Sequence, residues 1–150
     1  MTRIDFYILS TESDEARWRL AVRLSEKALI AGHRITIISP NTEINEKLSH
    51  HLWHDRPESF LPHSTVAESQ INHQTPPAPI TIANEEPSHQ HHDVLINVAD
   101  ADMEKYFSRF QRVIEIVTQA ESSLTHSRQR YGFYRHRGYP LHTHKINMGS

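Results

Sequence analysis

Apolar residues fall along this chain in two alternating kinds of pattern. Short runs rich in β-branched and aromatic residues stand at Arg3-Ile-Asp-Phe-Tyr-Ile-Leu9, Arg34-Ile-Thr-Ile-Ile-Ser39, Ile80-Thr-Ile82, Asp93-Val-Leu-Ile-Asn-Val-Ala99 and Arg112-Val-Ile-Glu-Ile-Val117. Each predicts a strand. The run at 93–99 is almost unbroken, as in a central parallel strand buried on both faces, and the run at 112–117 is the last strand expected. Repeats of four separate these runs. Ala16, Leu20, Leu24 and Ala28 mark one helix, and Ile44, Leu48 and Leu52 a second. Ser10-Thr-Glu-Ser13 is a helix-start signal, Asp14 and Glu15 suit the positive end of the helix dipole, and Gly32 supplies the stop. Met103, Tyr106, Phe107 and Phe110 give one face of a short helix. Thr118 and Glu121 have capping-box spacing, so a final helix should run from there to about Arg137. Residues 64–79, which include Pro76-Pro-Ala-Pro79, read mostly as loop, and residues 84–92 as a polar loop.

This order of elements predicts one α/β domain over residues 1–150, with a mostly parallel sheet, flanking helices and a Rossmann-like or P-loop-like topology. Residues from about 141 onward read as a flexible tail. No internal repeat or long linker divides the chain. The first strand–helix turn has neither Gly-x-Gly-x-x-Gly nor Gly-x4-Gly-Lys-Ser/Thr. Two acids stand where a phosphate would need bare backbone N–H groups, so a nucleotide cradle is excluded there.

Composition narrows the picture. The 150 residues include no cysteine, which removes disulfides, thiolate zinc sites and cysteine nucleophiles together and fits a reducing compartment. The opening residues lack the apolar run of a signal peptide, and no stretch approaches the roughly 20 apolar residues of a membrane span. A soluble cytoplasmic location with no membrane partner is the expectation.

Charge is unevenly spread. The chain holds 16 Lys and Arg against 18 Asp and Glu, yet from residue 128 on there are five Lys and Arg and no acid. The end is also aromatic: Arg128-Gln-Arg130-Tyr131-Gly-Phe133-Tyr134-Arg135-His-Arg137-Gly-Tyr139. On a helix, Leu124, Arg128, Tyr131 and Arg135 fall within roughly a 60° arc. Cations flanking an aromatic suit a ligand that is both anionic and apolar, either an acidic peptide ending in a hydrophobe or single-stranded nucleic acid. The plain alternative, about equally weighted on spacing alone, is a basic helix end that complements its own dipole. Trp53 and Phe60 flank an irregular, proline-bearing segment. They read either as rings capping the core or as an exposed hot spot for a partner.

At this point the chain resembles the chi subunit family of bacterial DNA polymerase III. The resemblance rests on Phe6-Tyr-Ile-Leu9, on Leu52-Trp53 followed by Pro57-Glu-Ser-Phe60-Leu-Pro62-His63, on Asp93-Val-Leu-Ile-Asn, and on Arg128 to Gly138. These stand in the family's order over nearly the whole length. The resemblance implies a small α/β domain with no catalytic residues, no metal and no cofactor, acting as an accessory subunit in DNA replication. It implies two partners: the psi subunit, which ties chi to the clamp loader, and the acidic C-terminal tail of the single-stranded-DNA-binding protein. By matching position, Val117, Arg128 and Tyr131 would form the tail site with Arg135 close by. Trp53 and Phe60 would lie on the opposite-facing surface for psi, which in some species also serves a helicase related to the iron–sulfur type. Contact with DNA would be indirect. Gly132 and Leu124 stand where the family usually carries basic residues.

Rival chemistries find less support. Thirteen histidines raise a metal hypothesis, with His50 and His54 four apart, His89, His91 and His92 clustered, and His142 near His144. No His-Glu-x-x-His is present, and no carboxylate accompanies any pair at ligand spacing on a firm element. No Gly-x-Ser-x-Gly marks a hydrolase. Direct binding of single-stranded nucleic acid is the serious rival, opposed by the acidic body, which would repel a strand beyond one short groove.

Overall fold

The computed structural model describes residues 1–54, 63–65 and 78–147. Within them, strand β1 (Arg3–Leu9) leads through helix α1 (Asp14–Ile30) to β2 (Ile35–Ile38), and helix α2 (Thr42–His54) follows. Strands β3 (His63–Thr65), β4 (Ile80–Ala83), β5 (Val94–Asn97) and β6 (Arg112–Val117) come next, then helix α3 (Glu121–His136) and strand β7 (Leu141–Ile146). The seven strands form one sheet in the order β3-β4-β2-β5-β6-β1-β7, every pairing parallel. The α/β, Rossmann-like expectation holds, and β5 is central as its apolar run predicts. Strands β1 and β2 are parallel but not neighbours, because β5 and β6 lie between them.

The helix signals work by their expected physics. The Ser13 hydroxyl accepts the Ala16 N–H at 3.2 Å and caps α1. The side chain of Asn41 does the same for α2, accepting the Ile44 N–H at 2.9 Å. Gly32 takes φ +88°, a conformation only glycine adopts without strain. The first strand–helix turn is closed by protein: the Gln119 amide donates to the Leu9 carbonyl at 2.8 Å and its backbone N–H to that of Thr11 at 2.9 Å.

Four expectations need correction. Residues 141–146 are not a tail; Leu141–Ile146 pairs along β1 from Ile4↔Leu141 to Leu9↔Ile146, so β6 is not the last strand. The loop expected over 64–79 begins with the three-residue strand β3, while residues 66–77 lie outside those described. Met103, Tyr106, Phe107 and Phe110 are all buried, but only Phe107–Arg109 forms a single 3-10 turn. The capping box at Thr118 and Glu121 does not form. The cap residue of α3 is Ala120, with no side-chain bond, and the Ser123 hydroxyl accepts the Thr118 N–H instead.

Two cores sandwich the sheet. On one face α1 and α2 cover Leu9, Ile35, Ile37, Val94, Ile96, Ile114 and Ile116. On the other, Ile4, Phe6, Leu95, Val113 and Val117 meet Phe107, Phe110 and Tyr134 of α3. A polar cluster fixes where α3 begins. The guanidinium of Arg17, buried on α1, donates to the Ile116 carbonyl at 2.9 Å and to Asp100 at 3.2 Å, and Asp100 also accepts from Ser123 at 3.2 Å. That set joins α1, the loop after β5 and the first turn of α3.

His91 is fully buried, with Nδ1 3.3 Å from the hydroxyls of both Thr36 and Thr81. Burial first, and the charge of Arg34 second, push its pKa below the ordinary value. The unfolded chain therefore binds this proton more readily than the folded one. The site's contribution to stability is complete above about pH 6.5 and is lost as the pH falls through the folded value. Urea unfolding midpoints should drop between pH 7 and pH 5, and the drop should be smaller in His91→Gln than in the wild type.

Candidate functional site

The three arginines of the last helix and Arg137, its C-cap, have different environments. Arg130 turns inward and is 6% exposed. Its guanidinium donates to Asp102 at 2.9 Å and to the Tyr134 hydroxyl at 3.1 Å, and its Nε faces the Glu115 carboxylate at 3.7 Å. Tyr134 and Asn97 donate to the two oxygens of Glu115 at 2.8 and 2.9 Å. Burial holds the Glu115 pKa above the carboxylate range, and the attraction of Arg130 and these hydrogen bonds only partly offset it. Arg137 lies 4.4 Å from the ring centre of Phe133, a cation–π contact that fastens the end of the helix. Arg128 and Arg135 remain exposed, and neither forms an ion pair among the described residues.

Tyr131 stands between those two cations. It is 37% exposed, and its ring centre lies 5.4 Å from that of Phe6 on β1. The inner side of the ring thus rests on the core while the outer part faces solvent. Val117 is 3% exposed, because β6 is an inner strand roofed by α3. It backs the site rather than lining it. Ile8 and Leu124, both half-buried, pack against the same core as the Phe6 ring beneath Tyr131. Phe6 backs Tyr131 from the core and Ile8 stands at the edge of that core, although the sequence marks neither as a site residue. The alternation in β1, with Ile4, Phe6 and Ile8 facing opposite to Asp5, Tyr7 and Leu9, is the signal that identifies them.

Trp53 lies in the last turn of α2, on the other side of the sheet from α3, and is 53% exposed. Phe60 lies outside the described residues. The histidines are dispersed: His91 is in the core, His89 lies 2.6 Å from Arg109, and His144 bonds Asp5 at 2.8 Å. Among the described residues no group of three or more His, Asp or Glu side chains is placed to hold a metal ion. No helix among them is long and apolar enough to cross a membrane.

Gly132 follows Tyr131 on the outside of α3, and nothing lies within 4 Å of where a Cβ would stand. Gly132→Ala should therefore stabilise the protein by about 0.5–1 kcal/mol, since only backbone entropy changes. Thermal or urea unfolding of the two proteins measures this.

Architecture and site together define a parallel α/β domain of Rossmann-like type that presents a cationic, aromatic helix face. A likeness among solved structures agrees on the fold. The second domain of the DEAD-box helicase Mss116p, solved bound to an RNA duplex, superposes with a TM-score of 0.65 at 10% identity, over 97% of this chain and 65% of that one. At that identity only the fold is shared. Sequence comparison is more specific: the family model for DNA polymerase III chi subunit, HolC, matches residues 1–142. The chain belongs to the DNA polymerase III chi subunit family. It is 33% identical over 146 residues to the chi subunit of Pseudomonas aeruginosa, spanning 97% of this chain and 98% of that protein. It is 26% identical over 148 residues to the chi subunit of Escherichia coli K12, spanning 95% and 97%.

Proposed function

We propose that this protein is a non-catalytic accessory subunit of a cytoplasmic DNA polymerase III, an adaptor in DNA replication with two protein-binding faces. The outer face of α3 takes the acidic, hydrophobe-ended C-terminal tail of the single-stranded-DNA-binding protein. The opposite surface, at Trp53 and Phe60, takes psi and through it the clamp loader. The same surface is open to an iron–sulfur-type helicase as a second partner. DNA is reached only through the first partner.

One observation carries the reading of α3: of four neighbouring arginines, the two that flank exposed Tyr131 are the two with no ion pair among the described residues. Arg128 and Arg135 are free to pair with carboxylates, and guanidinium forks do so in bidentate fashion. The half-buried patch of Tyr131, Ile8 and Leu124 can receive a terminal hydrophobe. Phe133 and Tyr134, which a row of stacked bases would need, are turned into the core. A single exposed ring suits one terminal side chain better than a run of nucleotides.

Titration of the protein with an acidic peptide ending in Asp-Ile-Pro-Phe, and separately with oligo-dT, tests this at low and moderate salt. The peptide should bind, and oligo-dT should not displace it. Binding of oligo-dT without the peptide would replace the adaptor reading with that of a direct single-strand binder. For the other face, Trp53→Ala should weaken capture of psi and leave peptide affinity unchanged.

A further inference from the structure

We propose that Lys145, on edge strand β7, is a third cation of the α3 site and grips the acidic ligand from the side opposite Arg128. This rests on the tail-binding reading and adds to it a residue from outside the helix.

Register places the residue. Ile8 on β1 pairs with Val117 of β6 on one side and with Lys145 of β7 on the other. Partners across parallel strands project to the same face, so the three form one row directed toward the α3 side. The neighbours in β7 bear this out: Leu141 packs into the core beneath α3, Ile146 packs into the opposite core, and His144 stacks on Tyr7 at 4.5 Å. With strands about 4.8 Å apart, the Cα of Lys145 stands roughly 10 Å from that of Val117.

Helix α3 covers the inner strand β6 and the start of β7 at Leu141, and leaves the later part of β7 exposed on this face. Val117 is buried, Ile8 is half-buried, and Thr143 and Lys145 are exposed. Leu124, Arg128 and Tyr131 on the helix and Thr143 and Lys145 on the strand therefore lie on the same side of the sheet, the helix forming one wall of the inferred site and the strand the other. Lys145 forms no ion pair among the described residues, and residues 128–150 contain no acid to neutralise it. The helix wall lacks cations at positions 124 and 132, where Leu and Gly stand. The strand wall supplies one.

Lys145→Gln, Lys145→Arg and Arg128→Ala are compared with the wild type by titration with the same acidic peptide. Lys27→Gln on α1, covering the other face, is the control. Lys145→Gln should weaken binding about threefold to fivefold at low salt and reduce the salt dependence. Lys145→Arg should restore both, and Lys27→Gln should change neither. Zero-length carbodiimide coupling of the bound peptide gives an independent readout, because the chain has four lysines; the amide should map to Lys145. If Lys145→Gln binds with wild-type affinity and salt dependence while Arg128→Ala loses binding, the Lys145 proposal is overturned and the tail reading stands. Failure of the wild type to bind the peptide overturns both.

Discussion

Arg130→Ala is expected to destabilise the fold by about 3–5 kcal/mol, because it leaves the buried Glu115 carboxylate without its cation. Glu115 is 5% exposed and keeps only Tyr134 and Asn97 as partners once the guanidinium is gone. The loss should depend on pH, with a sign that follows from the carboxyl's raised pKa. A group whose folded value lies above its unfolded one favours folding in acid, and that contribution disappears as the pH rises through the folded value. In Arg130→Ala the folded value rises further, so the variant should be weakest relative to wild type near pH 8 and closest to it near pH 5. Adding Glu115→Gln should recover part of the stability, since the amide removes the orphaned charge. A double-mutant cycle by urea unfolding isolates the coupling. Independent, additive losses from the two changes would show that the pair is not coupled.

Arg128→Ala, two residues away, is expected to do the opposite. Its side chain is exposed and supports nothing in the core, so stability should stay within about 0.5 kcal/mol of wild type. Affinity for the acidic peptide should fall by at least about tenfold, as expected when a charge-assisted pair at the centre of a small interface is lost. Tyr131→Ser should lower affinity to a similar extent but leave the salt dependence intact, since it removes apolar contact and no charge. If both variants bind normally, α3 is not the site. If either unfolds, its binding result is uninformative, and Arg128→Gln with Tyr131→Leu then replaces the pair as milder changes.

These contrasting arginines show what could be read in advance. Spacing alone gathers Arg128, Tyr131 and Arg135 onto one face, and that arc is the outer one. It does not reveal that Ser123, Arg130 and Tyr134 form the inner face, because a stripe of serine, arginine and tyrosine carries no hydrophobic signature. The inner face becomes intelligible only with Glu115, nineteen positions before Tyr134, buried opposite it. Asp5 makes a similar point on the other face. Burial pushes its carboxyl up, yet hydrogen bonds from His144, Arg112 and Arg3 together hold it below the ordinary value. Two of those donors come from strands 107 and 139 residues away.

The sequence by itself determined the α/β class, the positions of β1, β2, β4, β5, β6 and both leading helices, and the cationic, aromatic character of the end. Those features are written in local alternation, four-residue repeats, capping side chains and charge, all of which act over a few neighbouring residues. Only the tertiary structure decided that residues 141–146 are a strand, that Val117 lies beneath the surface, and that Arg130 serves the core while Arg128 does not. An edge strand such as Leu-His-Thr-His-Lys-Ile has little apolar content to announce it, and its backbone pairs along β1 across the fold. Whether a polar side chain is buried depends on what distant chain lies opposite it, and that information is held in the packing.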